Sequence, residues 1–413
     1  MSEGAVSSYM GGGLAKRLVE TLKEVEDRVR GLGRKIRGRG LTHAGFVDGS
    51  YVLEERRGAC LVLYSASSIE TVKETLRQRA KGSRKPVAQI LIPKSYSESR
   101  AGLLMSMFEL LASLDLVSAG AEAVFMDGSY VSALMAPFGF ALDVYSRALK
   151  AAMEGLDTGV AEELGSEASR EVAEIAETGE SPRKMFIRAL EVIGRYSARL
   201  YETLSSAGSP EHRWRKETLD FSVVFFEETA YLTVLAALLR KAEELGAAVF
   251  WVAKDSESRY LTEQEGVLGW LNDVMLLDYA WRGMGDIYVR LPGVSFGMPR
   301  GCVAYRGVIE EVYRYWNDYT VVYFKFGEQG VVAQMTYPVK LSEDMLDKGL
   351  ATLLGLSDRV HGYPRPLNYV HNLAVLNPGL ARLMADELYR RSGREALVRF
   401  MLAPSGRRLL GLK

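Results

Sequence analysis

Two short stretches of the chain repeat one another. Phe46-Val47-Asp48-Gly49-Ser50-Tyr51-Val52 and Phe125-Met126-Asp127-Gly128-Ser129-Tyr130-Val131 share Asp-Gly-Ser-Tyr-Val, and each has a Phe two residues ahead of its Asp. Each copy places a carboxylate where an apolar strand is expected to end and a glycine permits a sharp turn. Two such carboxylates on adjacent strands would repel unless a cation or a proton lies between them. Hard oxygen ligands select Mn²⁺ or Mg²⁺, one ion or two. Asp-Gly is also a favoured hairpin turn on backbone grounds alone. A single copy would carry no more than that, and the second copy with the same upstream Phe favours a carboxylate pair.

Glu109 is the third candidate. The spacing predicts a helix over 97–117, and one turn away from Glu109 lie the small or flexible residues Met105, Ser106, Ala112 and Ser113. An inward Glu needs a partner, and a metal is one. An exposed Glu on the polar stripe fits the same spacing equally. Lys254 follows a seven-residue apolar strand, in Lys254-Asp255-Ser256, where it could meet a phosphate as a point charge or simply mark the exit from a strand. In Gly362-Tyr363-Pro364-Arg365-Pro366-Leu367 the prolines open a helix. Tyr363 precedes that helix and His371 falls in its first turns. His371 could donate a proton to a leaving oxygen or steady a phosphate, and Tyr363 could hold a phosphate or stack on a base. His43, His212 and His361 read as structural.

Other chemistries lack their motifs. There is no P-loop, no dinucleotide-binding glycine fingerprint, no Cys-x-x-Cys, no His-Glu-x-x-His and no Gly-x-Ser-x-Gly. The two cysteines, Cys60 and Cys302, cannot form a disulfide framework, which suits a reducing compartment. No run of 18 apolar residues and no secretory leader pattern occur, so a cytoplasmic protein without a membrane association is expected. The 52 basic and 52 acidic residues balance to zero, so no bulk positive charge advertises nucleic acid. The charges are nonetheless segregated. Arg28, Arg30, Arg34, Lys35, Arg37 and Arg39 cluster, as do Arg79, Lys81, Arg84 and Lys85, and the tail carries Arg390, Arg391, Arg394, Arg399, Arg407 and Arg408. Acids gather between Glu154 and Glu180. Local basic tracks are therefore possible on a neutral protein, though each cluster alone reads as a solvated helix face.

The elements that must position these residues follow from periodicity. A helix is expected over 14–36, then strands at 44–48, 51–53, 59–66 and 87–92, the 97–117 helix, and a strand at 121–127. A helical block covers about 137–245, broken at Gly208-Ser209-Pro210. Strands follow at 247–253, 286–290, 302–308, 319–326 and 330–336, and helices near 341–355, 366–376 and 378–391. This order implies a mixed α/β sheet interrupted by a large helical insertion. The expected divisions are an N-terminal helical segment (1–42), a first core part (43–136), the insertion (137–245) and a second core part with C-terminal helices (246–413).

Taken together, these motifs resemble the NurA nucleases. The resemblance rests on Phe46-Val47-Asp48-Gly49-Ser50, Asp127-Gly128-Ser129 about eighty residues later, Glu109 eighteen residues before that second Asp, Ala253-Lys254-Asp255-Ser256, and Gly362-Tyr363-Pro364 with His371 eight residues after the Tyr. It extends from about 43 to 375. It implies a ribonuclease H-like fold with a helical insertion and a homodimer enclosing a DNA channel. It further implies a Mn²⁺-dependent 5′-to-3′ exonuclease and single-strand endonuclease, working with a HerA-type hexameric ATPase in resection and double-strand break repair. By the same resemblance Asp48, Glu109 and Asp127 would hold metal, with Tyr363, His371 and Lys254 beside them. The insertion and the N-terminal helix carry no motif of the family. Two other readings stay open at this point. An actin- or sugar-kinase-like ATP-binding protein also uses Asp-Gly-Ser turns, although no late Gly-rich segment for adenosine is present. A non-catalytic scaffold of a DNA-processing complex is the other.

Overall fold

The computed structural model describes residues 12–404, apart from 74, 79–84, 138–157, 208–215, 268–270, 292, 298–302, 342–343, 359 and 394. Arg79, Lys81, Arg84, Cys302, the Gly208-Ser209-Pro210 break, Arg394, Arg407, Arg408, His212 and the first part of the expected insertion lie outside the described residues.

Eleven described strands form one sheet. They are β1 (Arg34–Lys35), β2 (His43–Glu55), β3 (Cys60–Val72), β4 (Thr75–Gln78), β5 (Val87–Leu91), β6 (Ala123–Asp127), β7 (Ala248–Ala253), β8 (Ile287–Arg290), β9 (Val294–Ser295), β10 (Asp318–Lys325) and β11 (Val332–Pro338). The order across the sheet is β1-β8-β10-β11-β7-β6-β2-β3-β4, with β5 also on β3 and β9 also on β10. The centre, β2-β6-β7, is parallel, and antiparallel strands flank it on both sides. The helices are α1 (Gly12–Gly31), α2 (Ser97–Ser118), α3 (Tyr130–Met135), α4 (Thr158–Glu177), α5 (Pro182–Ala207), α6 (Lys216–Leu245), α7 (Tyr260–Gln264), α8 (Asp273–Ala280), α9 (Arg306–Tyr315), α10 (Leu346–Gly355), α11 (Arg365–Ala374), α12 (Pro378–Arg391) and α13 (Ala396–Leu402).

Each face of the sheet has its own core. Parallel central strands must be covered on both sides, and successive residues of a strand point to opposite faces. Val47, Val124, Val249 and Trp251 face α2 and the helices α4, α5 and α6. Phe46, Phe125, Phe250 and Val252 face α10 and α11. The described part of the helical insertion is thus no separate body: it continues one core through Val172, Phe186 and Leu235. A buried ion pair ties it down, with Arg100 of α2 donating through Nε and Nη2 to Glu227 of α6, both at 2.8 Å. Helices α2 and α6 are long and apolar enough to cross a bilayer, yet their most apolar windows are 78% and 100% buried inside the fold.

One expected element changes type. The described part of the expected 302–308 strand, 303–308, is not a strand: α9 begins at Arg306, and Val308, Ile309, Val312 and Tyr313 are buried at helical spacing. The expected 14–36 helix stops at Gly31 and gives way to β1, and the expected strands 44–48 and 51–53 are one strand, β2. β4 and β9 also join the sheet in addition to those expected, and most other boundaries shift by a few residues.

On the α10–α11 face three phenylalanines stack across the parallel ladder. Phe46 pairs with Phe125 and Phe125 with Phe250 in register. Their ring centroids are 5.3 and 5.2 Å apart with nearly parallel planes. Gly349 lets α10 lie on this stack, because a Cβ there would come within 2.9 Å of the Phe250 ring. Removing the middle ring by Phe125→Ala should cost roughly 3–5 kcal/mol. Urea denaturation of the variant checks this, and a loss below about 1 kcal/mol would mean that the stack is not a main tie of the sheet.

Candidate active site

The phenylalanine stack sets where the acids stand. Asp48 and Asp127 each lie two residues beyond a stacked Phe, so both share its face of the sheet. The β2-β6 ladder ends at Val47↔Met126, and β6 itself ends at Asp127. Both carboxylates therefore project where the parallel ladder stops. Lys254, the first residue past the end of β7, continues the same alternation from Phe250 and Val252. Val252 is the register partner of Asp127, and the Lys254 ammonium lies 3.5 Å from Asp127 Oδ2.

The two Asp-Gly copies behave differently from each other. Asp127-Gly128 is a strand end, and Gly128 has φ of 111°, the region that favours glycine. Asp48-Gly49 is not: β2 runs unbroken through it, paired with β3 from His43↔Val72 to Glu55↔Cys60. The thirteen-residue hairpin partner holds β2 extended after β6 has left it. Gly49 serves another purpose. It faces α2, and a Cβ there would lie 2.8 Å from Glu109 Cγ and Oε1. The missing side chain lets Glu109 come up beneath the strand and reach the acid on its far side.

Glu109 is buried, at 8% exposure, which settles its two sequence readings in favour of the inward one. It lines a cavity of about 280 Å³ together with Asp48, Asp127, Ser106, Ser129, Tyr231 and Trp251. From the α10–α11 face, His371 Nδ1 lies 2.6 Å from Asp48 Oδ2, while Asp48 Oδ1 accepts the Gly49 N–H at 2.8 Å. Asp48, Asp127 and His371 offer ligand atoms within 4.8 Å of one another. Tyr363 packs under Lys254, whose ammonium stands 4.8 Å from the ring centroid. The Tyr363 hydroxyl is buried and has no hydrogen-bond partner among the described residues.

The six residues singled out in the sequence thus collect at one end of the central ladder. His371 stands within 4.8 Å of the Asp pair, in a group of three that could hold a metal ion. Tyr231 was not foreseen. It comes from α6 and donates its hydroxyl to Ala133 O at 2.8 Å, bracing the helix that follows Asp127. One tyrosine among many in an apolar helix leaves no trace of this in the sequence.

Burial dominates the electrostatics, and crowding of charge adds to it. Burial pushes the Asp48 carboxyl above its ordinary value, nearby Asp127 adds to this, and His371 opposes it. Burial raises Glu109 well above the ordinary range, and Asp48 raises it further. Burial, then Asp127 and Asp48, push the Tyr363 phenol up, so it stays a neutral donor. Carboxylate oxygens with one imidazole suit a hard or borderline divalent cation, and a cation here would oppose both carboxyl shifts by favouring the ionised forms.

Residues 44–376 match the NurA domain. The chain belongs to the NurA family. Solved structures similar to this NurA chain include the NurA nuclease from Sulfolobus solfataricus, at 14% identity and TM-score 0.57, covering 95% of this chain and 99% of that one. A NurA bound to dAMP and manganese has 14% identity and TM-score 0.65, covering 97% and 98%. A NurA with manganese has 17% identity and TM-score 0.55, covering 92% and 97%. At such identities the likeness is one of fold: the mixed sheet with flanking helices expected from the sequence is the architecture they share. No curated protein sequence matches the chain.

The raised Glu109 value has a consequence for stability without metal. A carboxyl raised in the folded state contributes stability that is fully present below its ordinary value, 4.5. That contribution is lost as pH rises through the raised value. In EDTA, Tm should therefore fall over that rise more steeply for the wild type than for Glu109→Gln, whose amide cannot ionise. Equal slopes in a differential scanning series would show that Glu109 ionises as an ordinary surface acid.

Proposed function

We propose that this NurA protein is a metal-dependent DNA nuclease. The observation that carries the reading is the convergence of Asp48, Asp127 and His371 within 4.8 Å, with Glu109 on the same cavity. Family membership supports a nuclease over an ATP-binding protein. The manganese in the related NurA structures supports Mn²⁺ as the ion.

Asp48, Asp127 and His371 would hold the ion, and Glu109 would face it from the other side of β2. When bound, a divalent ion stabilises charge on a phosphoryl oxygen and acidifies a water. The protein's own groups act around it. Lys254 is half-buried and held over the Tyr363 ring, so it meets a phosphate oxygen as a point charge. The Tyr363 hydroxyl, which has no partner among the described residues, would donate a hydrogen bond to the same phosphate, satisfying a buried donor. Asp48 orients His371 through the 2.6 Å contact.

The decisive measurement is Mn²⁺-dependent cleavage of end-labelled DNA by wild type and Asp48→Ala. Removing one ligand should lower kcat by at least about 100-fold, within the range by which a misplaced reacting group slows an enzyme. Equal cleavage by both proteins would sink the assignment, and no cleavage by wild type with any divalent ion would favour the scaffold reading.

Family membership also supports finer features: 5′-to-3′ exonuclease and single-strand endonuclease activity, a homodimer, and end resection at double-strand breaks with a HerA-type hexameric translocase. The expected outcome is co-purification with such an ATPase at low and moderate salt, and a dimer mass in light scattering. A monomer that fails to retain the ATPase at either salt would remove the partner claim while leaving the nuclease claim intact.

A further inference from the structure

The loop that carries Lys254 is fastened by a buried polar network that lies on the opposite face of the sheet. Ala253 on β7, Gln334 on β11 and Tyr323 on β10 are register partners in one row across the sheet. Tyr323 belongs to the core under the α2 and α8 helices, and Gln334 is 2% exposed. Lys254, one residue past Ala253, turns to the other face.

The donors and acceptors in this network fit only one way. Gln334 Nε2 donates to Ser258 Oγ at 3.1 Å and to Tyr323 Oη at 3.0 Å. Tyr323 donates to Asp273 Oδ2 at 2.7 Å. Asp273, fully buried, also accepts the Leu261 and Thr262 N–H groups at 3.0 and 2.8 Å. Its own N–H donates to Ser258 O at 2.9 Å. Ser256 Oγ donates to Ser258 Oγ at 2.9 Å and accepts the Ser258 N–H at 3.2 Å. Gln334 is the branch point. Both protons of its amide nitrogen are used, one on the core side and one on the loop. A buried network of this kind fixes one geometry because every alternative leaves a polar group unpaired.

We propose that Gln334 is a positioning residue for Lys254: through Ser258 it sets the path of residues 254–258, and so places the Lys254 ammonium against Asp127 and the incoming phosphate. The inference rests on the nuclease reading and gives Lys254 a fixed rather than a swinging role. A lysine left on a free loop would supply its charge in many positions, and a small misplacement of a reacting group lowers rate steeply.

A double-mutant cycle on the full chain tests it, using single-stranded DNA with Mn²⁺. Gln334→Leu keeps the volume and removes the donors. It should lower kcat by about 10–100-fold, the scale seen when a supporting hydrogen bond is lost, with KM and Mn²⁺ affinity by titration calorimetry unchanged. Lys254→Ala should also lower kcat. In the Lys254→Ala background, Gln334→Leu should then cost nothing further, because the group it positions is gone. Ser258→Ala, in the half-buried loop, should reproduce the pattern if Gln334→Leu proves unstable. Losses that multiply in the double variant, or an unchanged kcat in both Gln334→Leu and Ser258→Ala, overturn the proposal. An active wild type with a fully active Lys254→Ala overturns it too and leaves the nuclease reading standing, whereas an inactive wild type removes that reading first.

Discussion

Three carboxyl groups share one small cavity at the end of the central strands, and the cost of burying and crowding carboxylates there is the constraint around which the rest is arranged. No core would gather Asp48, Asp127 and Glu109 for stability, since burial and proximity both penalise their charge. The fold holds them there by stronger apolar means. The Phe46-Phe125-Phe250 stack fixes the register of β2, β6 and β7, and α2 is locked between the sheet and α6 by apolar packing and the Arg100–Glu227 pair. Rigid elements carry the acids, and loops contribute only the Lys254 and Tyr363 supports.

The arrangement uses both faces of the sheet. Asp48, Asp127, Lys254, Tyr363 and His371 gather on the face of α10 and α11, while Glu109 and Tyr231 approach from the face of the helical insertion. They can meet because β6 ends where β2 continues. The unequal strand lengths open a gap in the sheet, and Gly49 widens it at the point where Glu109 passes. The twin Asp-Gly-Ser-Tyr motifs are thus alike in sequence and unlike in structure: one ends a strand, and the other lets a helix side chain under one.

Much of this was legible in the sequence because the periodicity of strands is simple. Phe two residues before Asp, twice, already states that ring and carboxylate share a face, and the apolar runs at 121–127 and 247–253 mark buried parallel strands. The mixed α/β sheet and the helical block follow from the order of such runs. What was illegible depends on partners distant in the chain. Spacing could not decide whether Glu109 faces in or out, because both readings share one helical pattern, and only its packing under Gly49 distinguishes them. The hairpin with β3 overrides the turn signal at Asp48-Gly49. Residues 302–308 misled because a short apolar run before an amphipathic helix looks like a strand. The Gln334-Tyr323-Asp273 network is invisible for the same reason: its members lie on three separate elements and only the sheet's register brings them together.

The contact between His371 and Asp48 spans 323 residues of chain. All three acids are in place within the first 127 residues, yet the imidazole that completes the cluster belongs to a helix near the far end. During synthesis the acids leave the ribosome long before their histidine. An incomplete chain ending anywhere before α11 carries the carboxylates without the imidazole. The order of the polypeptide therefore sets an order in time: the Asp48, Asp127 and His371 cluster is complete only once α11 has been made and has packed against β2.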